Sequence, residues 1–560
     1  MLTRKSLIQK FLMVKHMPEF FRLLFQRLSH GVAVLTRKFP LSLGTLVVIG
    51  LFLVFLITHV TLRFPFQSDE SVYAYSGYAL SRGSVPYVGI QLAQPPLMYL
   101  ALDFLFTLFG PSLLLFSLAE ATIVVFTGVL VFIVAKRLRL GDSNVIFPLL
   151  SVVTYGLITF DNFSTSFLEI FLTFFIMLCT AIYTLYVLRN GQRSKPALFL
   201  VGILLGVTLM IKYTSIVFVA ALFLFNLITL IWKKQYKRTI IESAILFFGA
   251  LIPFIVSLAL ISYAWDSFRQ FYLQTMYWQV VRSSTALNLR FFNVMVYVLK
   301  FFPLLILSGV GAFFLYRKAP KPQALLFPFI LISNIVGLMS VFNTFLLHYL
   351  YYLSPFLALL SAVGLAGILD FVRNTPWSFR VNRKNLARLF VLVTITWITI
   401  EVGAQALMVR DYNDDSVHFE VGQHISQITK PDDKIWTSEG AIAFFAQRLI
   451  VALNSSDWPI QTSFADIFAY DFDNYIGGSM KDYRYGIVSP EEFVNSWETN
   501  KIKVIVIIRG NDWVPYPDKL LLSGFQNFTG AWKYLQEKYL LDRAFTSADG
   551  MHTHEVWLRK

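Results

Sequence analysis

The chain has 560 residues, a hydrophobic share of 56%, 55 phenylalanines and a formal net charge of +15. That hydrophobic share, with a mean hydropathy of +0.61, excludes an ordinary soluble protein, and basic residues placed in short clusters between apolar runs exclude nucleic-acid binding as the reason for the charge. The single cysteine, Cys179, excludes an intramolecular disulfide and any multi-cysteine metal site.

In chain order, residues 1–40 interleave eight Lys and Arg with Phe11, Leu12, Phe20, Phe21, Leu24, Phe25 and Leu28. This pattern predicts an amphipathic segment on the anionic inner leaflet rather than a cleavable signal. Membrane crossings need about 20 mostly apolar residues, which predicts spans at 41–62, 112–135, 145–160, 166–188, 197–211, 214–232, 239–263, 291–316, 324–342, 349–370 and 386–408. With the amino terminus inside, the inner connections carry 26 Lys and Arg against 6 in the outer ones, and the positive-inside rule fixes that orientation. The apolar run 97–109 is too short to cross and is bounded by Pro95-Pro96 and Gly110-Pro111. Counting it as a span would reverse every later loop, so it is expected to lie along the outer interface.

An odd number of crossings leaves the tail outside. There the pattern predicts helices at 417–427, 439–447 and 489–500, the last opening on the capping box Ser489-Pro490-Glu491-Glu492, and strands at 434–437 and 504–508. The expected fold class is an α-helical polytopic membrane protein with about 11 crossings and a C-terminal soluble α/β domain. Its expected parts are a cytoplasmic segment 1–40, a membrane domain 41–408 with its first outer loop at 63–111, and an extracytoplasmic domain 409–560 joined through 410–415.

Polar residues on the outer side carry the candidate chemistry. Asp69-Glu70 stand just after the first span, and crowded carboxylates can hold one pKa up, which suits a base that takes a proton from a hydroxyl. Glu169 lies a few residues inside a span, where a charge costs about 2.5–3.5 kcal/mol and is a functional candidate by default. Lys212, at an outer helix junction, is placed to pair with a carboxylate or a phosphate or to snorkel to the interface. The outer loop 264–290 mixes aromatics with Arg269, Arg282 and Arg290; arginines there suit a lipid phosphate. His348-Tyr349 open the tenth span. Glu120 is expected to be structural, and His552 with His554, lacking a third ligand, does not make a metal site.

These residues resemble the GT-C superfamily of membrane glycosyltransferases, especially the protein O-mannosyltransferase and lipid A aminoarabinose transferase families. The likeness is strongest in the first outer loop, in the order Asp69-Glu70-Ser71-Val72-Tyr73-Ala74, Gly83-Ser84-Val85-Pro86-Tyr87 and Gln94-Pro95-Pro96-Leu97-Met98-Tyr99. Further along, Gly206 to Ser215 with Lys212, Glu169 as a second acidic position, and Tyr349 before Pro355 are similar to later family segments. In those families a lysine or a histidine precedes the Pro-Pro pair where this chain has Gln94, which leaves Lys212, His348, Tyr349 or the loop arginines to hold the donor phosphate. The Trp-Trp-Asp signature of oligosaccharyltransferases is absent.

The resemblance implies an inverting transferase that moves a monosaccharide from a polyprenyl- or dolichyl-phosphate donor to a hydroxyl on a protein, glycolipid or glycan at the outer membrane face. Asp69 would be the general base, with Glu70 and Glu169 orienting the acceptor and Tyr73, Arg82, Gln94, Lys212, Arg282, His348 and Tyr349 binding substrate. No cofactor is required on this expectation, and a divalent cation is compatible with it. Two rivals stand beside it: a transporter or lipid flippase that uses Glu120 and Glu169 for proton coupling, and a receptor whose outer domain binds a ligand.

Overall fold

The computed structural model describes residues 68–90, 92, 94–138, 146–161, 167–188, 194–277, 301–319, 321–341, 347–374, 415–437, 440–455, 458–461, 490–510, 529–547 and 552–560, with isolated positions between 292 and 299. All belong to one compact unit, Phe55–Lys560. The segment 1–40, the expected spans 41–62 and 386–408, Arg282, Arg290 and the side chains of Asp69, His348 and Tyr349 lie outside the described set.

Helix α1 (Ser68–Ser81) carries the acidic pair in its first turn. Its sequence is poor in strong helix formers, and it is held by burial of Ala74, Tyr75, Tyr78 and Ala79. Gly83, at φ 89°, follows it; its N–H donates to Leu80 O at 2.8 Å and stops the helix as left-handed glycines do. Helix α2 (Leu97–Phe109) starts behind Pro96 and stops at Gly110, φ 78°. Its length of about 20 Å falls short of a hydrocarbon core about 30 Å thick. This is the run expected not to cross.

Then come α3 (Leu113–Leu138), α4 (Ile146–Asp161), α5 (Phe167–Ile182, continued by a π turn Tyr183–Val187), α6 (Lys195–Ile211), a 3-10 turn (Tyr213–Ser215), α7 (Ile216–Trp232) and α8 (Tyr236–Ala259). A short α9 (Phe268–Phe271) runs into a π turn (Tyr272–Tyr277), followed by α10 (Phe302–Lys318), α11 (Lys321–Val341), a 3-10 segment (Leu347–Leu353) and α12 (Ser354–Asn374). Among the described residues six stretches are long and apolar enough to cross a membrane: Leu113–Leu138, Phe167–Val187, Tyr213–Trp232, Tyr236–Ala264, Lys321–Ser340 and Leu350–Ile368. The chain is an integral multi-pass membrane protein. The tenth expected span differs in its opening, because its first residues form the 3-10 segment instead of α-helix.

Small residues let these helices approach, as membrane packing requires in the absence of a hydrophobic drive between them. A Cβ on Gly206 of α6 would stand 2.3 Å from Ala250 O of α8, and one on Gly202 2.5 Å from Leu246 O. Gly311 of α10 and Gly364 of α12 meet backbone more closely still, each added Cβ falling 1.9 Å from a carbonyl oxygen of the other helix.

The carboxy-terminal region is α/β. Helices α13 (Asp415–Ile428), α14 (Gly440–Ala446), α15 (Pro490–Thr499) and α16 (Thr529–Lys538) accompany strands β1 (Ile435–Trp436), β2 (Ala452–Ser455), β3 (Trp458–Gln461), β4 (Val504–Gly510), β5 (Tyr539–Thr546) and β6 (His552–Arg559). The main sheet has the order β1-β4-β6-β5, with β1 and β4 parallel and the other pairs antiparallel. Strands β2 and β3 make a separate antiparallel pair. Trp436, Trp497, Leu535 and Tyr539 form a core of their own on this sheet, with the two indoles 5.4 Å apart.

Candidate active site

Glu169 sits in the first turn of α5, where the partial positive charge of a helix N-terminus favours a carboxylate. Lys212 is the residue at which α6 ends: its backbone turns extended (φ −154°, ψ 129°) before the 3-10 turn leads into α7. The break directs the Lys212 ammonium onto Glu169 Oε1 in an ion pair. Both side chains are buried, Glu169 at 1% and Lys212 at 4% exposure. Neither charge would stand buried alone, so each fixes the other's position.

A ring of hydroxyls and aromatics lies beside this pair. Tyr213 donates to Thr275 Oγ1 at 3.2 Å. Burial holds the Tyr87 phenol well above its ordinary range, and neighbouring Tyr213 and Tyr99 push it the same way. Tyr99 in turn meets Tyr73 of α1 edge-on, with centroids 6.0 Å apart. A line of phenols thus runs from the helix break at Lys212 to the helix that begins with Asp69-Glu70. Glu70 is buried, and α1 also touches α5, the helix of Glu169.

The loop between α1 and α2 is fixed by one residue that sequence reading passed over. Gln274 Nε2 donates to Tyr87 O at 2.8 Å while its Oε1 accepts from Leu92 N at 3.0 Å. Tyr87 itself has φ 66°, an uncommon conformation for a bulky residue. It is maintained by those bonds, by its hydroxyl donating to Gln94 O at 3.0 Å, and by the Phe271 ring at 5.2 Å. Nothing local sets Gln274 apart from Gln270 and Gln279 in the same segment; its partners lie more than 180 residues away in sequence.

The remaining expected site residues divide. Gln94 is half-buried and takes part through its backbone carbonyl. Arg82, just past the far end of α1, is half-exposed, and its guanidinium stands 3.6 Å from Asp432 of the carboxy-terminal region. His348 and Tyr349 lie on the 3-10 segment, which is pinned by Tyr351 donating to Thr159 Oγ1 (3.4 Å) and Tyr352 donating to Asn334 Oδ1 (3.0 Å). Glu120 is buried on α3, and His554 packs edge-on against His418 in the carboxy-terminal region. Among the described residues no group of three His, Cys, Asp or Glu is arranged to hold a metal ion.

Residues 93–265 match the family model of dolichyl-phosphate-mannose-protein mannosyltransferases. The crystal structure of ArnT from Cupriavidus metallidurans bound to undecaprenyl phosphate superposes with a TM-score of 0.57 at 12% identity, covering 91% of this chain and 97% of that one. The apo form of the same protein gives 0.58 at 14% identity with the same coverage. No curated protein sequence matches the chain significantly. Near-complete mutual coverage, with a sequence match over the segment that holds Glu169 and Lys212, identifies the chain as having the fold of the GT-C superfamily of membrane glycosyltransferases.

Proposed function

We propose that the protein transfers a monosaccharide from a polyprenyl- or dolichyl-phosphate donor to a hydroxyl acceptor at the outer face of the membrane. The observation that carries this reading is the buried Glu169–Lys212 pair at a helix break, joined by a line of tyrosines to the helix of Asp69-Glu70, within a GT-C fold. The family description names a dolichyl-phosphate sugar, and one of the similar structures holds undecaprenyl phosphate; both are lipid phosphates.

In the proposed reaction Asp69 takes the acceptor proton as the hydroxyl oxygen attacks the anomeric carbon. The bond from that carbon to the phosphate oxygen breaks on the opposite side, the configuration inverts, and the lipid phosphate leaves with the electron pair. Glu70 and Glu169 orient the acceptor side. Lys212, with His348, Tyr349 and the outer arginine Arg282, stabilises the charge that grows on the phosphate, while Tyr73, Arg82 and Gln94 line the substrate side. No cofactor is needed for these steps, and assays with chelator and with added Mg²⁺ read whether a divalent cation contributes.

Purified protein incubated with a panel of labelled polyprenyl-phosphate monosaccharides is expected to consume one of them and release polyprenyl phosphate. A transporter or a receptor would leave every donor intact. Asp69→Asn is expected to insert and fold normally while transfer falls by a factor on the order of 10²–10⁴, the usual contribution of a positioned base. Full transfer by that variant would remove Asp69 from the mechanism.

A further inference from the structure

We propose that helix α14 and the hydrogen bond between Ile450 and Tyr75 position the Asp69-Glu70 pair, so that the carboxy-terminal α/β region sets the turnover of the site; this rests on the transferase reading above. Helix α1 has little intrinsic reason to stay where it is. Its sequence, Ser-Asp-Glu-Ser-Val-Tyr-Ala-Tyr-Ser-Gly-Tyr-Ala-Leu-Ser, is rich in serine and tyrosine and contains a glycine, all weaker helix formers than alanine or leucine. Two clamps hold it. Towards α2, Gly77 lies so close to Leu102 that an added Cβ would fall 2.5 Å from the leucine Cβ. Towards the carboxy-terminal region, α14 packs on its first turns.

That second clamp bears on the acidic pair itself. A Cβ on Gly440, the first residue of α14, would stand 3.2 Å from Ser71 O and 3.3 Å from Ser71 C. Ser71 directly follows Glu70, so the contact is with the backbone of the turn that carries both carboxylates. One turn further on, Tyr75 is 1% exposed, and its hydroxyl accepts the Ile450 N–H at 2.7 Å. Burial raises the Tyr75 phenol, against the lowering effect of that backbone bond.

The clamp is anchored rigidly behind. Ile450 neighbours Leu449 and Val451, whose backbones bond Ile435 of β1: Ile435 N donates to Leu449 O at 3.1 Å and Val451 N to Ile435 O at 3.0 Å. Buried Arg448 ties the end of α14 to the end of α13 through Ala446 O, Gln447 O, Ser426 O, Thr429 O and Thr429 Oγ1. Phe444 of α14 also meets Phe106 of α2, with ring centroids 5.8 Å apart. The first turn of α1 is therefore registered against the sheet of the carboxy-terminal region. Tyr75 and Gly440 are positioning residues on this proposal, since neither needs to touch substrate.

The test uses the full-length protein and the donor of the panel that the wild type consumes, with Tyr75→Phe, Gly440→Ala and Gly440→Leu compared. Leu540→Ser on the exposed β5 edge serves as a control expected to change nothing. Because a displacement of about 1 Å at a reacting group can cost on the order of 10²-fold, Tyr75→Phe and Gly440→Leu are expected to lower kcat by about 10- to 10²-fold with the donor KM kept within about two-fold, and Gly440→Ala to fall between them and wild type. Hydrogen–deuterium exchange in residues 68–81 should quicken in the same order. If Gly440→Leu fails to fold, Tyr75→Phe and Gly440→Ala carry the comparison. Unchanged kcat in folded variants, or a rise in KM alone, overturns the positioning role while leaving the transferase reading intact. A wild type that consumes no donor overturns both.

Discussion

A lysine and a glutamate that are both out of contact with water make a costly arrangement unless each neutralises the other. Glu169 and Lys212 do so across the start of α5 and the end of α6. Breaking such a buried pair by removing one partner typically destabilises by about 3–5 kcal/mol, because the survivor is left as an uncompensated charge. Lys212→Met is therefore expected to lower the unfolding midpoint sharply, whereas Glu169→Gln combined with Lys212→Met recovers most of that loss. Both remain inactive, since the cation proposed to face the donor phosphate is gone from each. Thermal unfolding of the two variants beside wild type checks the expectation; equal stability of the single and double variants would show that the charges do not depend on each other.

Among the elements, the loop between α1 and α2 depends most on a distant residue. Gln274→Leu would leave the Leu92 N–H and the Tyr87 carbonyl without their partner, at about 1–3 kcal/mol for each buried group. The expected outcome is a new protease-sensitive site between residues 82 and 95 in limited proteolysis, with the transmembrane fragments intact. Helix α6 makes the opposite kind of demand, for space. Gly206→Val drives a side chain into Ala250 O and is expected to abolish a monodisperse folded species in size-exclusion chromatography. Gly156→Ala, with nothing within 4 Å of the added Cβ, is expected to elute as wild type. The long apolar helices were legible because their length and composition answer to the bilayer alone, and α15 because a capping box and proline mark its start. Residues 68–81 were legible as the place of the acidic pair but not as a helix: α1 exists through Gly77 against Leu102 and Ser71 against Gly440, contacts that no local pattern carries. Strand β5, exposed along most of its length, lacks the alternation that announces a strand. The junction at Lys212 was readable as a helix end, while its pairing with Glu169 required the packing of α5 on α6.

At the level of the whole molecule, the chemistry proposed for Asp69, Glu169 and Lys212 requires them to face the compartment where the lipid head group is presented, and the distribution of Lys and Arg predicts which side that is. Basic clusters close helices α3 (Lys136, Arg137) and α10 (Arg317, Lys318), and the connections expected inside hold 26 such residues against 6 outside, an asymmetry that orients insertion. The carboxy-terminal region then lies on the side of α1, against which α14 packs. Accessibility labelling can read this directly, since Cys179 is buried and is the chain's one cysteine. A membrane-impermeant maleimide applied to intact cells should leave the wild type unlabelled and react with Asp432→Cys, whose side chain is 97% exposed. Lys136→Cys, exposed at the end of α3, should react only after the membrane is opened. The reverse pattern would turn the acidic pair toward the cytoplasm, where the proposed outward-facing donor head group would be out of its reach, and would rule out transfer at the outer face even if the fold and the Glu169–Lys212 pair were unchanged.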